Sequence, residues 1–250
     1  FENSDMKASG LPSQEELTLL APFKDQLPKE VWGEPSISPV TDGSGLNRDN
    51  LRKASLLLSE GGWKLDPKDR KLKNEKGETF AFEILIDSAA FERVAGPYVK
   101  NLKNLGIEAS IRRADPAQFE LRMKTFDFDM TVQRYSLRLT PSVELKNFWG
   151  SEAAATDGSF NLAGISDPVV DRLIEQVIKA KTRFELVNAT RALDRVLRAG
   201  HYWVPHWFKA SHHLAFWNKL SWPPQKPKYD RGALVNWWFD EEKAQKLKSQ

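Results

Sequence analysis

The chain has 250 residues, 40% of them hydrophobic and 28% charged, a composition that suits a globular protein with one large domain or two smaller cores. Its 37 basic and 34 acidic residues leave a net charge of only +3, which gives no electrostatic case for nucleic acid or an anionic membrane as partner. Zero cysteines exclude disulfides, thiolate metal sites and cysteine nucleophiles, and no apolar run approaches the roughly 18 residues needed to cross a bilayer.

The opening, FENSDMKASG, is neither a start methionine nor a targeting region, so the first residue is expected to be internal to a longer polypeptide. Residues 1–45 read as an irregular connector broken by Pro12, Pro22, Pro28, Pro35 and Pro39. Within it SQEELTLLAPF offers a short helix, with Ser13 as N-cap and Glu16 completing a capping box. Asn47 can cap a second helix carrying Leu51, Ala54, Leu57 and Leu58, which stops at Gly61 and Gly62. The polar run GWKLDPKDRKLKNEKGE then reads as a surface hairpin.

An alternating pattern follows. Phe80, Phe82, Ile84 and Ile86 interleave with Ala81, Glu83 and Leu85, the period of a strand. Phe91, Ala95, Tyr98, Leu102 and Leu105 recur at helical spacing up to Gly106, with Pro97 expected to kink that helix or mark its first turn. IEASIRRA is a second strand, DPAQFELRMKTF a helix capped by Asp115 with Pro116 at its first position, and FDMTVQR a third strand. Strands alternating with helices through short links imply parallel pairing by right-handed crossovers, hence an α/β sheet. Ligands of such sheets sit beyond the carboxyl ends of the strands, and the third strand runs straight into RYSLRLTP, residues 134–141.

Beyond that loop, SVELKNFWG is a helical turn or two and SEAAATDGSFNLAGI a loop. Two helices follow, one begun by Asp167 and Pro168 with the stripe Val170, Leu173, Ile174, Val177 and Ile178, the other carrying Leu186, Ala189, Leu193 and Val196 up to Gly200. HYWVPHWFKASHHLAFW, residues 201–217, holds all four histidines and three of the nine tryptophans without a single acid. A turn-rich exit, a short strand ALVNWWF and a polar terminal helix close the chain.

Signs of catalysis are sparse. No glycine-rich phosphate loop follows a strand, and neither a G-x-S-x-G elbow nor an H-E-x-x-H helix occurs. Asp127 and Asp129 share a strand face without isolation from water, so their ordinary reading is solvated acids. The histidines lack a nearby carboxylate to ligate metal or orient a ring, so they read as imidazoles hydrogen-bonded within an aromatic layer, and no metal or other cofactor is expected. Each tryptophan reads first as core or seam, with a cleft lining for peptide or sugar as its other use. Arg134 and Arg138 are either an exposed, solvated pair or forks for carboxylates and peptide carbonyls at the mouth of a cleft.

The order of these features resembles a known family. LIDSAAFERVAGPYVKNLKNLGIEASIRRADPAQFELRMKTFDFDMTVQRY is similar to the carboxyl-terminal lobe of family 5 extracellular solute-binding proteins, the peptide-binding receptors of ABC importers. The helix start ISDPVVDRLIEQ matches the family's N/D-P-x-x-D-x-L pattern, and the opening FENSDMKASGLPSQEELTLLAPFKDQLPKEVWGEP resembles the YejA-like subgroup.

The resemblance implies a periplasmic-binding-protein type II lobe, a mixed sheet with helices on both faces, from an exported periplasmic receptor about twice as long. The implied function is to bind a peptide or peptide-like solute between two lobes and deliver it to ABC transporter permease subunits, with no enzymatic activity. The implied division is a connector at 1–45, an α/β lobe at 46–205, and strands and a helix at 206–250 that would pack on the amino-terminal half of the receptor. Many peptide-binding members carry an aspartate in the loop before its proline, where it grips the peptide's amino terminus. Here that loop has no acid, and Arg134 and Arg138 suit a carboxylate-bearing ligand or acids of the other lobe. The expected ligand-binding set is Arg134, Tyr135, Ser136, Arg138, Trp149, Asn161, His206 and Trp207. The alternative is a carbohydrate-binding module using exposed tryptophans.

Overall fold

The computed structural model describes residues 1–45, 47–211, 213–225, 227–228 and 235–248. The chain opens with α1 (Gln14–Leu20) and two 3-10 turns, Ala21–Phe23 and Lys29–Trp32, before α2 (Arg48–Glu60). The hairpin β1 (Lys64–Leu65) and β2 (Leu72–Lys73) leads to β3 (Ala81–Ile86), α3 (Ala89–Asn104), β4 (Glu108–Arg113), α4 (Pro116–Lys124) and β5 (Met130–Thr131). Then come α5 (Glu144–Trp149), α6 (Ser151–Ala154), α7 (Pro168–Lys179) and α8 (Arg183–Ala199). The chain closes on β6 (Leu220–Ser221), β7 (Trp238–Phe239) and α9 (Glu241–Lys248).

These elements form two compact units. One comprises Ile37–Ser136 and Lys146–Pro168, the other Phe1–Ser36, Leu137–Leu145 and Val169–Gln250. The expected boundaries at 45 and 205 do not coincide with them, because the first 36 residues and α7–α8 belong to one unit.

The first unit is the α/β one. Its sheet has three parallel strands in the order β4–β3–β5, with Ile84 opposite both Ile111 and Met130. The antiparallel ladders β1–β2 and β6–β7 are separate, so among the described residues the two kinds of pairing do not share a sheet. Strand β3 departs from simple alternation: Ile84, Leu85 and Ile86 are all buried, as a central parallel strand covered on both faces requires. Asp115 caps α4 by accepting from the amides of Ala117 and Gln118, both at 3.1 Å, with Pro116 in the first turn. Helix α3 runs through Pro97, which therefore does not mark its start. Leu72, Leu102 and Ile107 form a core packed by Leu58, Trp63, Phe80, Phe82 and Tyr98, with Trp63 and Phe80 stacked at 4.6 Å.

The second unit is mainly helical. Val170, Leu173, Ile174 and Val177 of α7 are buried, as are Leu186, Ala189, Leu193 and Val196 of α8. The opening segment is more than a connector here, since Met6, Ala8, Leu20 and Val31 are fully buried and α1 packs on α8. Ser13 does cap α1, but Glu16 does not close a capping box. Its carboxylate instead meets the buried Arg195, whose guanidinium also donates to the carbonyls of Gly33 (2.9 Å) and Gly10 (3.0 Å). An inward-facing cation thus fastens an irregular segment by satisfying its carbonyls.

Of the strands expected at 206–250, none lies within 206–217, which joins no ladder among the described residues. Every described residue from 204 to 219 is exposed. The expected ALVNWWF strand survives only as β7, its Ala233 and Leu234 lying outside the described residues, as does His212.

Candidate functional site

The sheet order fixes where a ligand loop belongs. The chain goes from β3 to its neighbour β4 on one side, then crosses to β5 on the other. The carboxyl ends of β3 and β5 therefore flank a topological switch point, the usual ligand position of an open α/β sheet. Strand β5 is only two residues long, and side chains complete its hold on β3. The Asp129 carboxylate accepts from the Glu83 amide at 2.9 Å, and the Thr131 hydroxyl donates to the Leu85 carbonyl at 3.0 Å. Arg122 of α4 donates to Glu83 (3.1 Å) and to the Asp127 carboxylate (3.0 Å). Asp127 and Asp129 thus serve as framework.

Directly beyond, the Arg134 amide donates to the Gln133 side chain at 2.8 Å, and the Arg134 side chain is exposed. Among the described residues its guanidinium has no acid partner. Tyr135 lies against Phe148 edge-on (5.6 Å) and near Trp149 (6.5 Å), while Phe148 also meets Phe160 at 5.9 Å. The Tyr135 hydroxyl donates to the Phe160 carbonyl at 3.3 Å. Tyr135 and Trp149 are thereby brought together, with Phe148 and Phe160 as cluster members that a single-residue scan of the loop does not reveal. Ser136 is exposed.

Two expected ligand contacts turn inward. Asn161, 1% exposed, donates to the carbonyls of Gly150 (3.0 Å) and Ile165 (2.8 Å) and accepts from the Ile165 amide (2.9 Å). Both of its N–H donors are consumed, so it shapes the 150–165 loop and is corrected from contact to framework. Trp149 is 5% exposed and is a buried member of the aromatic cluster, 6.1 Å from Phe148. A hollow of about 230 Å³ lined by Phe126, Asp129, Asn161 and Leu162 reaches neither Arg134 nor Tyr135.

Arg138 belongs to the helical unit, is exposed, and has no acid partner among the described residues. His206 stacks on Trp207 at 5.3 Å in the same unit, with Trp207 67% exposed. Of the expected aromatic layer of hydrogen-bonded imidazoles, the described residues show His206 stacked on Trp207 and His213 at 3.2 Å from the Ser211 hydroxyl, all of them exposed. Among the described residues no cluster of three or more metal-ligating side chains occurs, and no helix is long and apolar enough to cross a membrane.

The model of the bacterial extracellular solute-binding proteins, family 5 Middle, matches residues 21–156, more than half of the chain. The chain belongs to that family. It is 42% identical over 95% of its length to the probable peptide-binding protein YejA of Agrobacterium fabrum, covering 39% of that protein. It is 38% identical over its full length to the uncharacterized protein YejA of Escherichia coli, covering 41% of it. Among solved structures, the oligopeptide-binding protein AppA of Bacillus subtilis, in complex with a nonapeptide, superimposes with a TM-score of 0.58. That likeness spans 90% of this chain and 45% of AppA at 18% identity, and it shows the type II periplasmic-binding-protein fold. The chain spans about two fifths of the length of the curated relatives it matches.

Proposed function

We propose that this chain is part of the substrate-binding component of an ABC importer, working outside the cytoplasmic membrane and handing its cargo to permease subunits. The cargo is a peptide or peptide-like solute carrying a free carboxylate. The observation that carries this reading is Arg134, an exposed guanidinium without an acid partner among the described residues, leaving a strand end at the switch point of the sheet. A planar fork of this kind recognises a carboxylate through two parallel hydrogen bonds. The peptide reading draws further support from the names of the Agrobacterium relative and of the nonapeptide-bound neighbour. Tyr135 supplies a ring held in the aromatic cluster beside the arginine, and Ser136 a hydroxyl, while the buried Trp149 packs near that ring. On the helical unit Arg138, His206 and Trp207 are the candidate contacts. No catalytic step is assigned to any of them.

Residues 206–250 are proposed to pack on the amino-terminal half of the receptor. The exposed rings of the described residues at 204–219 support this. The carbohydrate-module alternative is not favoured in a chain of this family.

Titrating the full-length receptor and its Arg134→Ala variant with trialanine tests the reading. Loss of one charge-assisted contact is expected to weaken binding by roughly tenfold or more. The melting point should barely move, since an exposed side chain changes stability by only about ±0.5 kcal/mol. Unchanged affinity removes Arg134 from the site. Trp149→Ala is a poor probe, because emptying a buried indole site costs about 3–5 kcal/mol by itself.

A further inference from the structure

Within the helical unit, the backbone beside Arg138 is held by a three-residue relay. Arg183, the first residue of α8, donates through Nη1 to the carbonyl of Leu139. The same guanidinium grips both oxygens of Asp5, through Nη2 to Oδ1 and through Nε to Oδ2 at 3.2 Å. Asp5 is clamped a second time, its carbonyl accepting from Arg191 Nε at 2.9 Å two turns further along α8. The base of this relay is rigid, since Thr182 and Glu185 close a reciprocal capping box around the start of α8. The Arg183 side chain is only 24% exposed, so the fork is partly shielded from competing water.

A guanidinium is planar, and its donors leave in fixed directions. One edge, Nε and Nη2, committed to Asp5 determines where the Nη1 hydrogen bond points, which in turn fixes the Leu139 carbonyl. Arg138 is the adjacent residue. Its own side chain is exposed and has no acid partner among the described residues, so its direction depends on the backbone that carries it.

We infer that Arg183, oriented by Asp5, is a positioning residue that presents Arg138 to the carboxylate of the bound solute. The inference rests on the carboxylate reading given above. It places ligand selectivity partly in a side chain that does not touch the ligand. Restricting Arg138 before binding lowers the ordering cost when the carboxylate arrives.

The test compares trialanine with trialanine amide on the full-length receptor, where the ratio of affinities measures recognition of the terminal carboxylate. Arg138→Ala should reduce the preference for the free acid by about tenfold, the size of a charge-assisted hydrogen bond. Arg183→Ala should reduce it nearly as much, and the double variant no further than Arg138→Ala alone, the non-additivity that marks a shared interaction. Arg183→Lys keeps the charge but loses the fork and should recover only part of the preference. A ratio unchanged in Arg183→Ala but lost in Arg138→Ala overturns the positioning role while leaving the carboxylate reading intact. If neither variant changes the ratio, Arg138 does not meet the carboxylate and the presentation role falls, while Arg134 is judged by its own alanine variant. If the unsubstituted receptor does not distinguish the two probes, the carboxylate reading falls and the presentation role with it. The relay itself is then judged by trypsin, whose cleavage between Arg138 and Leu139 should speed at least fivefold in Arg183→Ala. Asp5→Asn serves should that variant not fold, and an unchanged cleavage rate rules out the tether.

Discussion

Helix α8 and the stretch that follows it are neighbours in the chain with opposite fates. From Leu186 to Leu197 every inward position of α8 is buried, and even its charged residues Asp194 and Arg195 find partners there. From 204 to 219 the described residues are all exposed, including Val204, Phe208, Leu214 and Trp217, the last at 73%. Apolar content is therefore a poor guide to burial. The difference is that α8 receives α1, a 3-10 turn and the carbonyls of an irregular segment. The rings of the later stretch find chiefly one another, as in the His206–Trp207 stack and the contact of Phe216 with Trp222 and Trp237.

The harshest way to break α8's side of this contrast is Glu16→Leu. It leaves Arg195, 1% exposed, as a buried cation without its carboxylate, an imbalance worth about 3–5 kcal/mol. Urea unfolding should show that loss as a lower midpoint at unchanged slope. A loss below about 1 kcal/mol would mean that the Gly33, Gly10 and Ser9 carbonyls carry the charge alone.

Next in size is a matched pair of truncations. Leu193→Ala, at a position with no exposure, should cost about 2–5 kcal/mol. Trp207→Ala removes a larger side chain yet should stay within about 0.5 kcal/mol in this chain, because little water-free contact is lost. In the full-length receptor the same Trp207→Ala change should cost several-fold more if the amino-terminal half covers it. Equal effects in both would sink the proposed packing of residues 206–250.

The same contrast explains what the sequence made legible. The α/β order, the caps at Ser13 and Asp115 and the stripes of α7 and α8 are local patterns, and each appears where its spacing places it. Arg134 is singled out as a candidate by the same logic, since a strand end is a local signal. The misses are long-range. Glu16 fits a capping box by spacing, but its partner Arg195 lies 179 residues away. Asp5 and Arg183 are 178 apart. Asn161 looked like any loop amide until the carbonyls of Gly150 and Ile165 claimed its donors. Among the described residues no strand forms at 206–217, because a strand needs an edge to pair with, which no periodicity can supply. One miss was avoidable: Thr182 and Glu185 form a capping-box pattern in plain sight.

The smallest expected effect concerns the β1–β2 hairpin, which is fastened by charge at the surface. Lys73 sits between Asp66 at 2.7 Å and Asp69 at 2.8 Å. Hydrogen bonds from Lys73, and then from the Lys68 and Lys71 amides, hold both carboxyls below the usual aspartate value, and the same two acids hold the Lys73 ammonium above its own. A carboxyl lowered on folding contributes stability that is fully present above its unfolded value near 3.9 and disappears as pH falls through the folded value. A lysine raised on folding contributes below its unfolded value near 10.4 and stops contributing as pH rises through the folded value. The hairpin is thus most secure between those limits, while the apolar burial of Leu193 has no such window. Carboxyl carbon NMR titration should place both aspartates below 3.9, and Lys73→Met should return them toward it. Midpoints that do not move in Lys73→Met would show that the turn amides alone set them, leaving the hairpin dependent on its backbone.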